Sequence, residues 1–169
     1  MKTIVTLDKA NQPYGFPQLN ENGRYGDVIS DSGLTATTIS ATTYENLPTG
    51  TTIGSFGITI DGGGSVITTG IKGYSVLPYN AIITGWDIVG DVTGSCVIDV
   101  WKSSSGTIPT ISNTITGTEK PMLTAQQINS NNNLTSWVNN ISLGDVIAFN
   151  VESITTLTKV SLIIKVIKI

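Results

Sequence analysis

From Thr51 onward, apolar and polar residues alternate with the period of two that a half-buried strand requires. Phe56, Ile58 and Ile60 share one face of a first strand, which stops at the turn Asp61-Gly62-Gly63-Gly64. Ile82, Trp86 and Ile88 point one way in the next clear strand and leave Asp87 on the other side. In Ser95 to Lys102, Cys96, Ile98 and Val100 share a face opposite Val97, Asp99 and Trp101. Ile147, Phe149 and Val151 form the inner set of a strand introduced by Gly144-Asp145, and Val160, Leu162, Ile164 and Val166 form that of the last strand. Between Lys102 and Trp137 lies a long polar excursion, with a short helical turn expected over Thr124 to Asn129 and Thr124 as its N-cap. Seven or eight short strands with hairpin turns and no sustained helix predict an all-β fold, an antiparallel β-sandwich of the jelly-roll kind over residues 51–169.

Residues 1–50 have a different texture. Turn-forming and aromatic residues mix in Gln12-Pro13-Tyr14-Gly15-Phe16-Pro17 and Asn20 to Asp27, and neither period is sustained. Such a stretch cannot bury enough apolar surface alone. It reads as an extended N-terminal anchoring or connector segment whose candidate docking anchors are Tyr14, Phe16, Leu19 and Tyr25, with an unstructured tail as the alternative.

The outer faces carry too much apolar surface for a solitary sandwich. Ile163, Ile167 and Ile169 lie on the second face of the last strand, and Val97 and Trp101 on the second face of the Ser95 strand. A wet face would be polar there. These five residues are candidates for a subunit interface in a homo-oligomer, and the competing explanation is that another part of the same chain covers them.

Composition narrows the chemistry. Ile, Val and Thr make up 61 of 169 residues, which favours pleated strands. The absence of His removes Ser/His and Cys/His catalysis and imidazole metal sites, and the single Cys96 removes intrachain disulfides. One Arg, eight Lys and a net charge of -3 lack the footprint of a nucleic-acid binder. Val160 to Ile169 is interrupted by Lys165 and Lys168 and is half the roughly 20 residues of a membrane span. Asp8 and Lys9 cut the apolar start below a secretory core, so neither export nor membrane insertion is expected.

The remaining polar residues suggest turns before they suggest sites. Asp61 and Asp145 sit in Gly turns, and no Asp-rich loop with calcium spacing occurs, so no catalytic residue, metal or cofactor is expected. Flat rings can bury the apolar face of a sugar, which makes Tyr74, Tyr79 and Trp137 candidate glycan contacts, with core or interface packing as the alternative for each.

Several ordered blocks bear a likeness to something more specific. Ile60 to Gly73, Ile83-Thr84-Gly85-Trp86 and Gly94 to Lys102 are followed by Ile108-Pro109-Thr110, Ile115-Thr116-Gly117 with Lys120-Pro121, Leu134 to Trp137, and Ile141 to Val146 with Phe149-Asn150-Val151. Over about residues 53–168 the chain resembles a module of bacteriophage virion proteins, found at the ends of tail and fibre proteins. The resemblance implies a non-enzymatic structural role in the virion after assembly in the host cytoplasm, a β-sandwich head and a homotrimer. Because the chain is short and nearly all head, it looks more like a head fibre or capsid decoration protein than a tail-fibre receptor-binding tip. The partners implied are further copies of the chain, other virion proteins through the N-terminal segment, and a host-surface glycan. A secreted carbohydrate-binding module is the alternative from another class.

Overall fold

A computed structural model of the chain describes residues 52–169. Seven strands run in the order β1 (Ile53–Asp61), β2 (Gly70–Val76), β3 (Ala81–Ser103), β4 (Met122–Asn131), β5 (Asn140–Ile141), β6 (Val146–Thr155) and β7 (Lys159–Lys168). A single 3-10 turn, Ile111–Asn113, lies between β3 and β4. All pairings are antiparallel, in the sheet order β1-β7-β3-β6-β2, with β4 and β5 added on β3.

The organising feature is the length of β3. Its first half pairs with β7 from Ala81↔Lys168 to Gly90↔Val160, and its second half pairs with β6 from Ser95↔Thr155 to Ser103↔Val146. β6 and β7 thus act almost as one strand laid along β3, interrupted at residues 156–158, opposite residues 91–94 of β3, which pair with neither. At that break Thr156 takes a positive φ of 63°, and Leu157 turns inward and is fully buried. Gly94 lies so close to this corner that a β-carbon would meet Thr156 Oγ1 at 2.5 Å and Leu157 Cγ at 2.9 Å. A side chain there would hold the ribbon apart.

Bending at this corner brings the two halves of the ribbon over one another, so the sheet curls around its own apolar side. Phe56 of β1 meets Phe149 of β6 at 6.5 Å between ring centroids, although two strands lie between them in the sheet. β1 and β2, the two ends of the order, also approach: a β-carbon on Gly73 would lie 2.8 Å from Ile58 Cδ1. The enclosed core holds Ile60, Trp86, Ile88, Cys96, Ile98, Val100, Ile147, Phe149, Val151, Leu162 and Ile164 among others.

The alternation expected for β1, for the second half of β3, and for β6 and β7 is the alternation observed. Three details differ. A bulge between Ile83 and Gly85 shifts the face of β3, so Ala81 and Ile83 join Trp86 and Ile88 in the core while Ile82 faces outward. Thr124 to Asn129 is part of β4 rather than a helical turn; it pairs irregularly with β3, with register shifts around Gly94 and a positive φ of 47° at Ala125. Asp99 and Trp101 are on the outer face as expected, yet both are buried.

The corner supports a stability prediction. Leu157→Ala should destabilise the protein by about 2–5 kcal/mol in urea unfolding, the cost of an unfilled core cavity. The equivalent change at exposed Val92 should stay within about 0.5 kcal/mol.

Candidate functional site

Among the described residues, two outer surfaces and a cleft bear on interaction, and of the two surfaces one is open and one is covered. The first surface is the outward face of β1, β7, the first half of β3, and β4. Cross-strand register lines up Ile53, Ile167 and Ile82 in one row, Gly57, Ile163, Asp87 and Ser130 in a second, and Thr59, Ser161, Val89 and Ile128 in a third. Ile53 is 58 % exposed, Ile128 67 %, and Ile163, Ile167 and Val89 are each about two-fifths exposed. Two lysines on this face are paired within the chain, while Asp91, on the same face of β3 as Asp87 and Val89, accepts from Thr158 and has no ion-pair partner among the described residues. Lys165 Nζ lies 2.9 Å from Asp87 and Lys159 Nζ 3.0 Å from Asp61. What remains is a largely apolar surface with the Asp91 carboxylate at its edge.

The second surface, the outward side of β6 and the second half of β3, is closed over by the chain itself. The segment 104–121 folds back so that Thr114 bridges to Trp101 and Ile115 N donates to Val100 O at 2.9 Å. Asp99 anchors this cover: Thr114 and Thr116 hydroxyls donate to its Oδ1 at 2.6 Å, and Trp101 Nε1 donates to its Oδ2 at 2.9 Å. Lys120 Nζ stands 3.4 Å from the same carboxylate and pairs with Glu152 at 2.5 Å. Burial pushes the Asp99 carboxyl up, but the three hydrogen bonds and the Lys120 charge outweigh it and hold it below the ordinary carboxylate range.

The five candidate interface residues therefore divide. Trp101, at 6 % exposure, is a core contact beneath the chain's own loop and is not part of an open face. Val97 is half-buried between Met122 and Ser153. Ile163 and Ile167 stand on the open apolar face, and Ile169 lies exposed just past β7, its backbone N donating to Asn80 O.

The three candidate glycan residues are not brought together by any contact. Tyr74 is exposed on β2. Tyr79 packs against the core beside β1, its hydroxyl donating to Ser55 O at 3.4 Å and Lys168 Nζ 5.9 Å from its ring centroid. Trp137 is buried, with its Nε1 donating to Glu119 O at 3.0 Å. The candidate anchors Tyr14, Phe16, Leu19 and Tyr25 lie outside the described residues.

Turn chemistry accounts for the Asp residues read as turn formers. Asp61 Oδ1 accepts from Gly63 N, and Asp145 Oδ2 accepts from Ser142 N and Lys102 Nζ. Among the described residues no group of three or more His, Cys, Asp or Glu is placed to hold a metal ion. Cys96 is buried, and that burial pushes its thiol up.

A cleft that the sequence did not announce is lined by Trp86, Glu119, Lys120, Met122, Asn129, Ser130 and Asn131, with a volume of about 230 Å³. Glu119 is fixed at its rim by accepting from the backbone N and hydroxyl of both Thr135 and Ser136 at 2.6–3.0 Å. These lining residues come from three separate stretches, joined only when β4 pairs with β3. No family model, no curated protein and no solved structure matches this chain.

The Asp99 cluster gives a pH prediction. Its folded pKa lies below the ordinary value of 3.8, so its stabilisation is present above that value and drains away as pH falls through the lower, folded one. Asp99→Asn should cost about 1–3 kcal/mol at pH 7. In urea unfolding repeated at falling pH, its stability should also decline less below about pH 4 than that of the unaltered protein.

Proposed function

We propose that this chain is a non-enzymatic structural subunit of a bacteriophage virion, a head fibre or decoration protein. It assembles as a homotrimer and is held to the particle by its N-terminal segment. The observation that carries this reading is the open face of β1, β7, β3 and β4, where Ile53, Val89, Ile128, Ile163 and Ile167 stand exposed and Lys159 and Lys165 are already paired within the chain. Such a face suits a building block, because neighbouring subunits can cover it. The likeness of the ordered sequence blocks to phage virion modules supplies the kind of particle and the number three. In the same reading the curled sheet is a jelly-roll-like sandwich. One layer is β1, β7 and the first half of β3; the other is β2, β6 and the second half.

Magnitudes make the assembly modest. Roughly half of each exposed side chain remains to be covered, on the order of 1 kcal/mol apiece, so three such faces packed about a threefold axis contribute on the order of 15 kcal/mol. Joining three chains takes two association steps of about 4–15 kcal/mol each, which leaves no large surplus and makes assembly concentration-dependent. Other virion contacts, through residues 1–50, would add to it.

Sedimentation at micromolar concentration should give about three times the 17.8 kDa chain mass. The doubly substituted Ile163→Asp, Ile167→Asp protein should sediment as a monomer with an unchanged circular dichroism spectrum. A monomeric unaltered chain at that concentration would overturn the assembly.

A further inference from the structure

We propose that the folded chain joins Lys120 to Asp99 through an isopeptide bond between Lys120 Nζ and Asp99 Cγ, with Glu152 as the base. The first ground is a meeting of three groups. Lys120 Nζ stands 3.4 Å from Asp99 Oδ2 and 2.5 Å from Glu152 Oε1. Among the described residues it is the lysine that meets two carboxylates, whereas Lys102, Lys159 and Lys165 each meet one. An ion pair needs a single carboxylate; amide formation needs one to be attacked and a second to carry protons. Exposure divides these tasks. The Asp99 side chain is 2 % exposed beneath the cover, and that of Glu152 is 33 % exposed at the rim.

The second ground is the other oxygen of Asp99. The Thr114 and Thr116 hydroxyls both donate to Oδ1 at 2.6 Å. Attack by Nζ on Cγ places negative charge on Oδ1, where these two donors already point. Oδ2, on the Lys120 side, is the oxygen to leave, and Trp101 Nε1 donates to it at 2.9 Å. The backbone holds the partners in place: Asp99 pairs with Asn150 of β6, and Ile98 N donates to Pro121 O, one residue from each end of the new bond.

The step balances without a further reactant. The Lys120 ammonium carries three protons and the Asp99 carboxylate none. Glu152 takes one proton from Nζ and passes it to Oδ2, the freed amine attacks Cγ, and a second proton follows as the Cγ–Oδ2 bond breaks. One water leaves, one N–H stays in the amide, and Glu152 ends ionised as it began. The resting pair is ionised, since Glu152 and then Asp99 hold the Lys120 ammonium above its ordinary value of 10.5, while Asp99 lies below its own of 3.8. Moving the first proton is thus unfavourable by at least about a millionfold. Against this stands the effective molarity of two groups held at contact, about 10⁵–10⁸ M. Closure is therefore slow, and one turnover per chain is enough. The acid dependence of Asp99 belongs to the unjoined chain, because the joined chain has no carboxyl there to titrate. Once made, the bond closes residues 99–120 into a ring and fixes the cover on β3.

Nothing in this reaction depends on assembly, so a failed sedimentation test and a failed closure are separate results. The experiment is mass spectrometry of the full chain, held for days at neutral pH and then unfolded. Its mass should lie about 18 Da below that of the open chain, the weight of one water. Trypsin, which cuts after Lys72, Lys102 and Lys159 but not between Lys120 and Pro121, should leave peptide 73–102 joined to peptide 103–159. Lys120→Arg keeps the charge and removes the nucleophile, and should retain the open-chain mass with an unchanged circular dichroism spectrum. Glu152→Gln should slow closure about a hundredfold. An aged protein that keeps the open-chain mass would overturn the proposal. So would a water loss that persists in Lys120→Arg, which would place the dehydration elsewhere, as in a succinimide at Asp61-Gly62.

Discussion

The structure depends on one pairing: the β6–β7 stretch laid antiparallel along both halves of β3 and bent once, at Leu157. A flat ribbon of this length would leave its apolar side in water. Folding it at the corner puts Val160, Leu162 and Ile164 of one half across the core from Ile147, Phe149 and Val151 of the other. The remaining strands are additions to that frame. β1 extends the β7 side, β2 extends the β6 side, and β4 and β5 take the far edge of β3.

Much of this frame was legible because a strand's inner row is written in alternate letters. Phe56, Ile58 and Ile60, or Val160, Leu162, Ile164 and Val166, need no knowledge of their partners to be assigned to one face. The misreadings arose where a partner decides. Ile82 looks equivalent to Ile88 until the bulge at Ile83/Gly85 slips the register by one residue. Asp99 looks like a solvent-facing charge until residues 104–121 return over it with Thr114 and Thr116. β4 carries a weak alternation of Thr, Gln and Asn, and only the edge of β3 makes a strand of it.

The same distinction governs the sites. Ile163 and Ile167 could be singled out because they sit on a strand whose other face was already full, leaving no core to absorb them. Trp101 looked equivalent and was not, because an apolar residue on an outer face can be covered by its own chain as well as by a neighbour. The cleft was invisible for the opposite reason. No segment contributing to it has an unusual pattern, and its walls meet only when β4 pairs with β3.

The order of strands along the chain sets a schedule for synthesis. β1 and β2 pair only with β7 and β6, which are translated after them, and β3 meets its principal partner at that same late stage. While the ribosome works through residues 53–145, three apolar strands emerge with open backbone edges and only the irregular contacts of β4 and β5 to occupy one of them. Closure of the ribbon is thus a late event of high contact order, and a nascent chain stalled before β6 is a species that sticks to its neighbours on the polysome.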